Sequence, residues 1–190
     1  MERSAAIENE AQKLCEERFG LIKEEIQKTL IKEQETILTD LKNTFDQLFV
    51  QAEQQQTENR KDKARYIVVS HLYSGFVSGS YEYRIDILDE SMYLDTQECC
   101  VYWQPRFLFP YTEADHQWFK TMLRKKYIRL RNYEIRKVEW NYQFYYHSII
   151  YHLLKNMVNE IERMESFIHM QKTDETLFLF GEYMGEAFRI

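Results

Sequence analysis

Residues 135–168 read IRKVEWNYQFYYHSIIYHLLKNMVNEIERMESFI, and the register of their apolar side chains decides the fold. Ile135, Val138, Tyr142, Tyr145, Ile149, Leu153, Met157, Ile161, Met164 and Ile168 recur in steps of three and four. That spacing puts them on one face of a helix. No Gly or Pro interrupts the chain between Tyr111 and Phe180, so nothing local stops helix growth. The spacing predicts a helix over 134–169, preceded by another over 113–130. Thr112, with Asp115 three residues on, resembles a capping box for the earlier one.

Toward the N-terminus, residues 4–58 contain no Pro and a single Gly, Gly20. Leu14, Ile22, Ile26, Leu30, Leu41 and Phe45 mark an apolar stripe on a segment otherwise filled by Lys, Glu and Gln. One continuous helix here would run roughly 75–80 Å. It must overhang the rest of the chain or bend, and Gly20 is the expected bend. The stripe lapses at Glu33-Gln34-Glu35-Thr36, so it is coiled-coil-like and not a strict heptad. A Gln-rich stretch from Gln51 to Lys63 reads as a frayed linker. The expected division is therefore a helical appendage over 1–63 and a compact α+β domain over 64–190.

Alternation marks one clear strand. Tyr81, Tyr83, Ile85 and Ile87 are separated by Glu82, Arg84 and Asp86, which predicts the apolar set on a buried face. Met92–Leu94 is a candidate partner strand, and Leu177–Phe180 another. Residues 65–77 fit a strand and a helix equally well. The fold class is α+β and mostly helical: a long N-terminal amphipathic helix, then a compact helical domain with a small antiparallel β element.

Charge is distributed unevenly. Residues 1–63 carry 10 Lys/Arg against 14 Asp/Glu, residues 64–119 carry 3 against 8, and residues 138–190 carry 4 against 8. Residues 120–137 reverse the sign, with 8 against 1, or +7. Lys120, Arg124, Lys125, Lys126, Arg129 and Arg131 lead this block, Arg136 and Lys137 close it, and Trp118, Tyr127 and Tyr133 lie among them. Clustered cations bind phosphate backbones, and unpaired bases stack on aromatic rings. On one helix, however, these charges point in nearly every direction. The competing reading is an internal complement to the acidic helices of the same chain.

Other constellations carry less chemistry. Glu113 and His116 form one Glu-x-x-His pair, whereas di-iron bundles use two. Tyr145, Tyr146, His147, Tyr151 and His152 cluster on the long helix without an acidic orienter or nucleophile at a telling spacing. The Ser74–Ser80 stretch lacks the Gly-Lys-Ser/Thr of a phosphate loop. Cys15, Cys99 and Cys100 form neither a disulfide framework nor a zinc site. No catalytic, metal or cofactor site is expected. The lack of a signal peptide and of a membrane span points to the cytoplasm and away from a membrane.

Three functions follow from these residues. The first is non-enzymatic: a protein-interaction or oligomerising accessory role, with the N-terminal stripe facing a partner or a second copy. The second is nucleic-acid binding through 120–137. The third is an enzyme whose site is assembled from residues distant in sequence.

Overall fold

The computed structural model describes residues 2–190, leaving out the side chains of residues 2–6 and 8. The fold is α+β and mostly helical, with a small mixed sheet. The elements are α1 (Glu2–Lys32), α2 (Gln34–Thr57), β1 (Ala64–His71), α3 (Tyr73–Ser78), β2 (Tyr83–Leu88), β3 (Cys100–Trp103), α4 (Phe109–Lys126), α5 (Asn132–Ile161), α6 (Glu165–His169), β4 (Lys172–Glu182) and β5 (Ala187–Arg189). They form two compact units: residues 1–34 with 106–149, and residues 35–105 with 150–190. The division expected at Lys63 follows the change of composition. The compact units follow helix packing, with α1 in one and α2 in the other.

The N-terminal segment is two helices and not one. The break falls at Glu33, where the apolar stripe lapses, and the helix passes through Gly20 undisturbed. A lone Gly costs about 1 kcal/mol in a helix and does not break it. A lost apolar face removes the packing that holds a long helix together.

In the first unit α1, α4 and the first half of α5 bury Leu14, Ile22, Ile26, Phe119, Leu123, Ile135, Val138, Tyr142 and Tyr146. The α5 stripe differs from the expected one. After Tyr142 the buried positions are Tyr146, Ile150, Leu154, Met157 and Ile161, so Tyr145, Ile149 and Leu153 stand one residue aside. A run of apolar residues two deep, from Phe144 to Tyr146 and Ser148 to Tyr151, satisfies both registers, and packing selects one. Periodicity also carried the expected helix through residues 162–164. There α5 ends in a turn and α6 restarts, placing Phe167 against Phe49 and Phe178 at ring separations of 5.2 and 5.9 Å.

In the second unit the strand order is β3-β2-β1-β4-β5. The sheet is mixed, not purely antiparallel as expected, because β1 and β4 run parallel with Ile67 beside Phe178 and Val69 beside Phe180. The ambiguous 65–77 segment is both things in turn: strand β1, then helix α3, which ends at Gly79 with φ +78°. Met92–Leu94 is a 3-10 turn, and the partner of β2 is β3, with Ile85 beside Val101. Gly181 is required where β4 meets β5, since a β-carbon there would lie 2.0 Å from the Glu186 carbonyl oxygen.

One face of the sheet carries Ile67, Val69, Tyr83, Ile85, Ile87 and Phe180, all buried. Phe45 reaches this layer at Phe178, 6.5 Å away, and Tyr151 reaches Phe180 at 5.9 Å. The opposite face holds Val68, Leu88 and Leu179 under Met92, Tyr93 and Ala187. Tyr81 lies outside the strand, at φ +46°, so only three of the four alternating residues define the buried face. Asp86 is buried too, on the other face, where Arg84 donates to it from Nε at 2.9 and 3.0 Å.

The Gln-rich stretch does not fray. Gln56 is buried and donates to the carbonyls of Asp62 and Gln171 at 3.1 and 2.7 Å. Lys61 pairs with Asp95 with side-chain exposures of 0% and 1%, and it also donates to the Gln97 carbonyl at 2.7 Å. The Asp95 carboxylate accepts the backbone N–H groups of Asp89 and Gln97 as well, which folds the loop after β2 around one carboxylate.

Ile85→Ala removes a fully buried side chain and should cost about 2–5 kcal/mol. Asp86→Ala should cost less, about 1–3 kcal/mol, because Arg84 keeps its second partner, Glu98 at 2.9 Å. Urea titration of the two variants gives the ranking directly.

Candidate nucleic-acid interface

The basic block folds into the tip of a helical hairpin. Helix α4 buries Thr112, Asp115, Phe119 and Leu123, a spacing of three, four and four that turns one stripe inward and leaves the rest to solvent. It starts at Phe109 with Pro110 in its first turn, upstream of the capping box read at Thr112 and Asp115. Thr112 instead returns its hydroxyl to the Phe109 carbonyl at 2.9 Å, and Asp115 lies in the interior.

Asp115 anchors the hairpin. Arg18 of α1 donates to its Oδ1 at 2.5 Å, and the Tyr146 hydroxyl of α5 donates to Oδ2. The Arg18 guanidinium also lies over the Trp118 ring, 5.7 Å from its centroid. Phe119 packs edge-on against Tyr142 at 4.9 Å. His116 Nδ1 approaches Glu139 Oε1 at 2.6 Å, so the histidine of the Glu-x-x-His pair is engaged across the hairpin and not with Glu113. Burial pushes the Asp115 carboxyl above its ordinary range, against the lowering effect of Tyr146 and Arg18. Burial raises Glu139 likewise, opposed by His116.

Above this anchor the chain turns in five residues, Tyr127-Ile128-Arg129-Leu130-Arg131. Tyr127 closes α4 by donating to the Leu123 carbonyl at 2.9 Å. Arg129 takes φ +58°. Arg131 then acts as the N-terminal cap of α5: its carbonyl accepts from Glu134 and Ile135, and its own N–H donates to the Glu134 carboxylate at 2.7 Å. The block read as one helix is therefore two helix ends and a turn.

Seven of the eight cations are exposed, and Lys120 is half-buried. Lys126 pairs with Glu10 of α1. Glu134, the one acid within the block, accepts the Arg131 backbone N–H. Among the described residues, no ion pair joins Lys120, Arg124, Lys125, Arg131 or Arg136 to a carboxylate. Of the expected internal complement, Glu10 meets Lys126 and the charge of Arg136 acts on Glu139, while Glu139 also meets His116 and Asp115 meets Arg18. Arg124, Lys125 and Lys126 in the last turn of α4 complement its dipole. Arg131 stands at the N-terminal end of α5, where the dipole disfavours a cation.

Two side chains at the tip are apolar and exposed. Ile128 is 85% exposed at the apex and Tyr133 62%, with the Arg131 guanidinium 6.0 Å from the Tyr133 ring centroid. Ile128 is the residue that charge counting passes over, and its signal in the sequence is an aliphatic between Tyr127 and Arg129 within the charged turn. Trp118, read as one of the interleaved aromatics, is half-buried against Phe119 and Arg18.

The N-terminal stripe has a different fate. Leu14, Ile22, Ile26, Leu41 and Phe45 are buried within the chain and Leu30 is half-buried. They are spent on the chain's own core, so in this conformation they offer a partner no surface. In the second unit a cleft of about 170 Å³ is lined by Arg84, Asp86, Tyr93, Glu98, Cys99 and Tyr183, among others. Its charges satisfy one another: Arg84 contacts Asp86 and Glu98 and stacks on Tyr183 at 5.0 Å. Burial holds Cys15 and Cys99 up to about 12, far from a reactive thiolate. No group of three or more His, Cys, Asp and Glu suited to a metal ion occurs among the described residues. No helix there is long and apolar enough to cross a membrane.

Asp115 binds its proton more tightly folded than unfolded, so folding stability should fall as pH rises from below the ordinary value of 3.8 through the raised one. Asp115→Asn should flatten that decline, measured as urea midpoints across a pH series. Compared with protein-family models, with curated proteins and with solved structures, the chain matches none.

Proposed function

We propose that this chain is a non-enzymatic binding protein that engages nucleic acid through the tip of its α4–α5 hairpin, residues 120–137. The observation that carries the reading is the state of the cations. Eight of them lie on one hairpin tip, seven are exposed, and five of them (Lys120, Arg124, Lys125, Arg131 and Arg136) form no ion pair with a carboxylate among the described residues. Lys and Arg left in water beside one another repel, and a polyanion relieves that repulsion while releasing its own counterions. The acidity of the rest of the chain does not cancel the effect, since charges more than about 8–10 Å away are screened at physiological salt.

An accessory role through the N-terminal stripe is less well supported, because those side chains already fill the core. An enzymatic role lacks an observation of its own: the buried Asp115 accepts from the buried Tyr146 and the half-buried Arg18.

The test is salt dependence. Binding of the full chain to oligonucleotides should weaken steeply between about 50 and 200 mM salt. The log–log slope should approach about −0.7 per phosphate neutralised on a single strand and −0.9 on duplex. Replacing Arg124, Lys125 and Lys126 together with Ala should flatten the slope by about 2 on a single strand. The variant should stay folded, checked by its urea midpoint, since the three side chains are exposed. Binding that ignores salt, or a variant that unfolds while the wild type shows no affinity, refutes the proposal.

A further inference from the structure

We infer that the hairpin tip is built for a single-stranded nucleic acid, with Tyr133 as the ring on which a base stacks. The inference rests on the polyanion reading of the same tip and adds to it the class of strand. Three observations carry it.

The first is the shape of the charge. Lys120, Arg124, Lys125 and Lys126 lie on α4 at angles of roughly 100° per residue, so they radiate around the helix end. Arg129 and Arg131 sit on the turn, and Arg136 and Lys137 on adjacent positions of α5. The result is a tip two helices wide, about 20 Å across, flanked by α1 on the Lys126 side. Duplex DNA is stiff over about 50 nm and meets such a tip along one side only, leaving the cations behind it unused. A single strand is flexible and can wrap the tip, bringing phosphates to cations on several sides.

The second is the exposed ring. Tyr133 is 62% exposed, and among the described residues its one ring contact is the Arg131 guanidinium. Bases in a duplex are already stacked on each other, so an aromatic platform finds nothing there to hold. Unpaired bases have free faces, and stacking on aromatic rings with an adjacent Arg is the usual way to hold them.

The third is Ile128, 85% exposed at the apex. An aliphatic side chain there gains nothing against a phosphate ribbon. It does gain by covering the face of an unstacked base or the edge of a ribose.

The experiment uses the full chain with three probes at one salt concentration: an oligothymidylate of about 20 nucleotides, a duplex of about the same length, and vesicles of phosphatidylcholine with phosphatidylserine. The single strand should bind at least about ten-fold more tightly than the duplex. Tyr133→Ala should weaken single-strand binding by about ten-fold with little change in salt slope, because it removes a stacking contact and no charge. Tyr133→Phe should retain the affinity, and neither variant should alter duplex binding. The ring is exposed, so both variants should fold like the wild type, checked by their urea midpoints. Equal affinity for both nucleic acids with no effect of Tyr133→Ala overturns the single-strand inference and leaves the polyanion reading standing. Binding to vesicles but to neither oligonucleotide overturns both, since it assigns the cations and Ile128 to an anionic lipid surface.

Discussion

A carboxylate almost out of reach of water sits where three helices of the first unit meet. Asp115 would be intolerable there without donors, and Arg18 from α1 and Tyr146 from α5 supply them. The arrangement fixes more than a charge. It sets the axial position of α4 against both neighbours, which in turn sets where α4 ends and the turn at Tyr127 begins. The basic tip stands where it does because a buried polar contact some two to three helical turns below holds its base. Burial still leaves Asp115 above its ordinary proton affinity, so the contact orients the helices more than it stabilises them.

The same division between orientation and energy holds in the second unit. Its stability comes from Phe45, Phe49, Phe178, Phe180 and the aliphatic residues of β1 and β2. The polar groups decide which arrangement of that apolar material is adopted. Gln56 bridges the chain before β1 to the chain before β4, the two strands that pair in parallel. Asp40 accepts from the Trp103 indole at 2.9 Å and Asp46 from the Ser166 hydroxyl at 2.7 Å, which set α2 across the sheet.

What could be read from the sequence was what depends on neighbours in the chain. The helices around Ile26 and Ile135, the alternation at Tyr83-Arg84-Ile85-Asp86-Ile87 and the block of charge at 120–137 are local patterns, and the α+β class follows from them. Pairing between distant segments left no such mark. The parallel match of Ile67 with Phe178 joins strands more than a hundred residues apart, and no spacing rule reaches that far. The helix break at Glu33 was visible as a lapse in the stripe, but Gly20 drew the bend instead because local propensity outweighed packing. At the candidate interface the cations were plain. Whether they were neutralised turned on where Glu10, Glu134 and Glu139 point, a matter of tertiary placement. The exposed Ile128 left no such mark, because an aliphatic side chain in a charged turn follows no period.

The ion pair of Lys61 with Asp95 bears on how this chain is able to change over generations. Neither side chain reaches solvent, and each is the other's counter-charge. Losing either one alone strands a buried charge, a cost of about 3–5 kcal/mol that consumes much of a small protein's margin. Replacing both with apolar residues of matching volume is close to neutral, yet every route to that state passes through one of the two stranded intermediates. Descent by single substitutions therefore meets a valley at these positions. The two sites should be inherited as a unit, staying charged together or turning apolar together, even in lineages where the surfaces around them diverge freely.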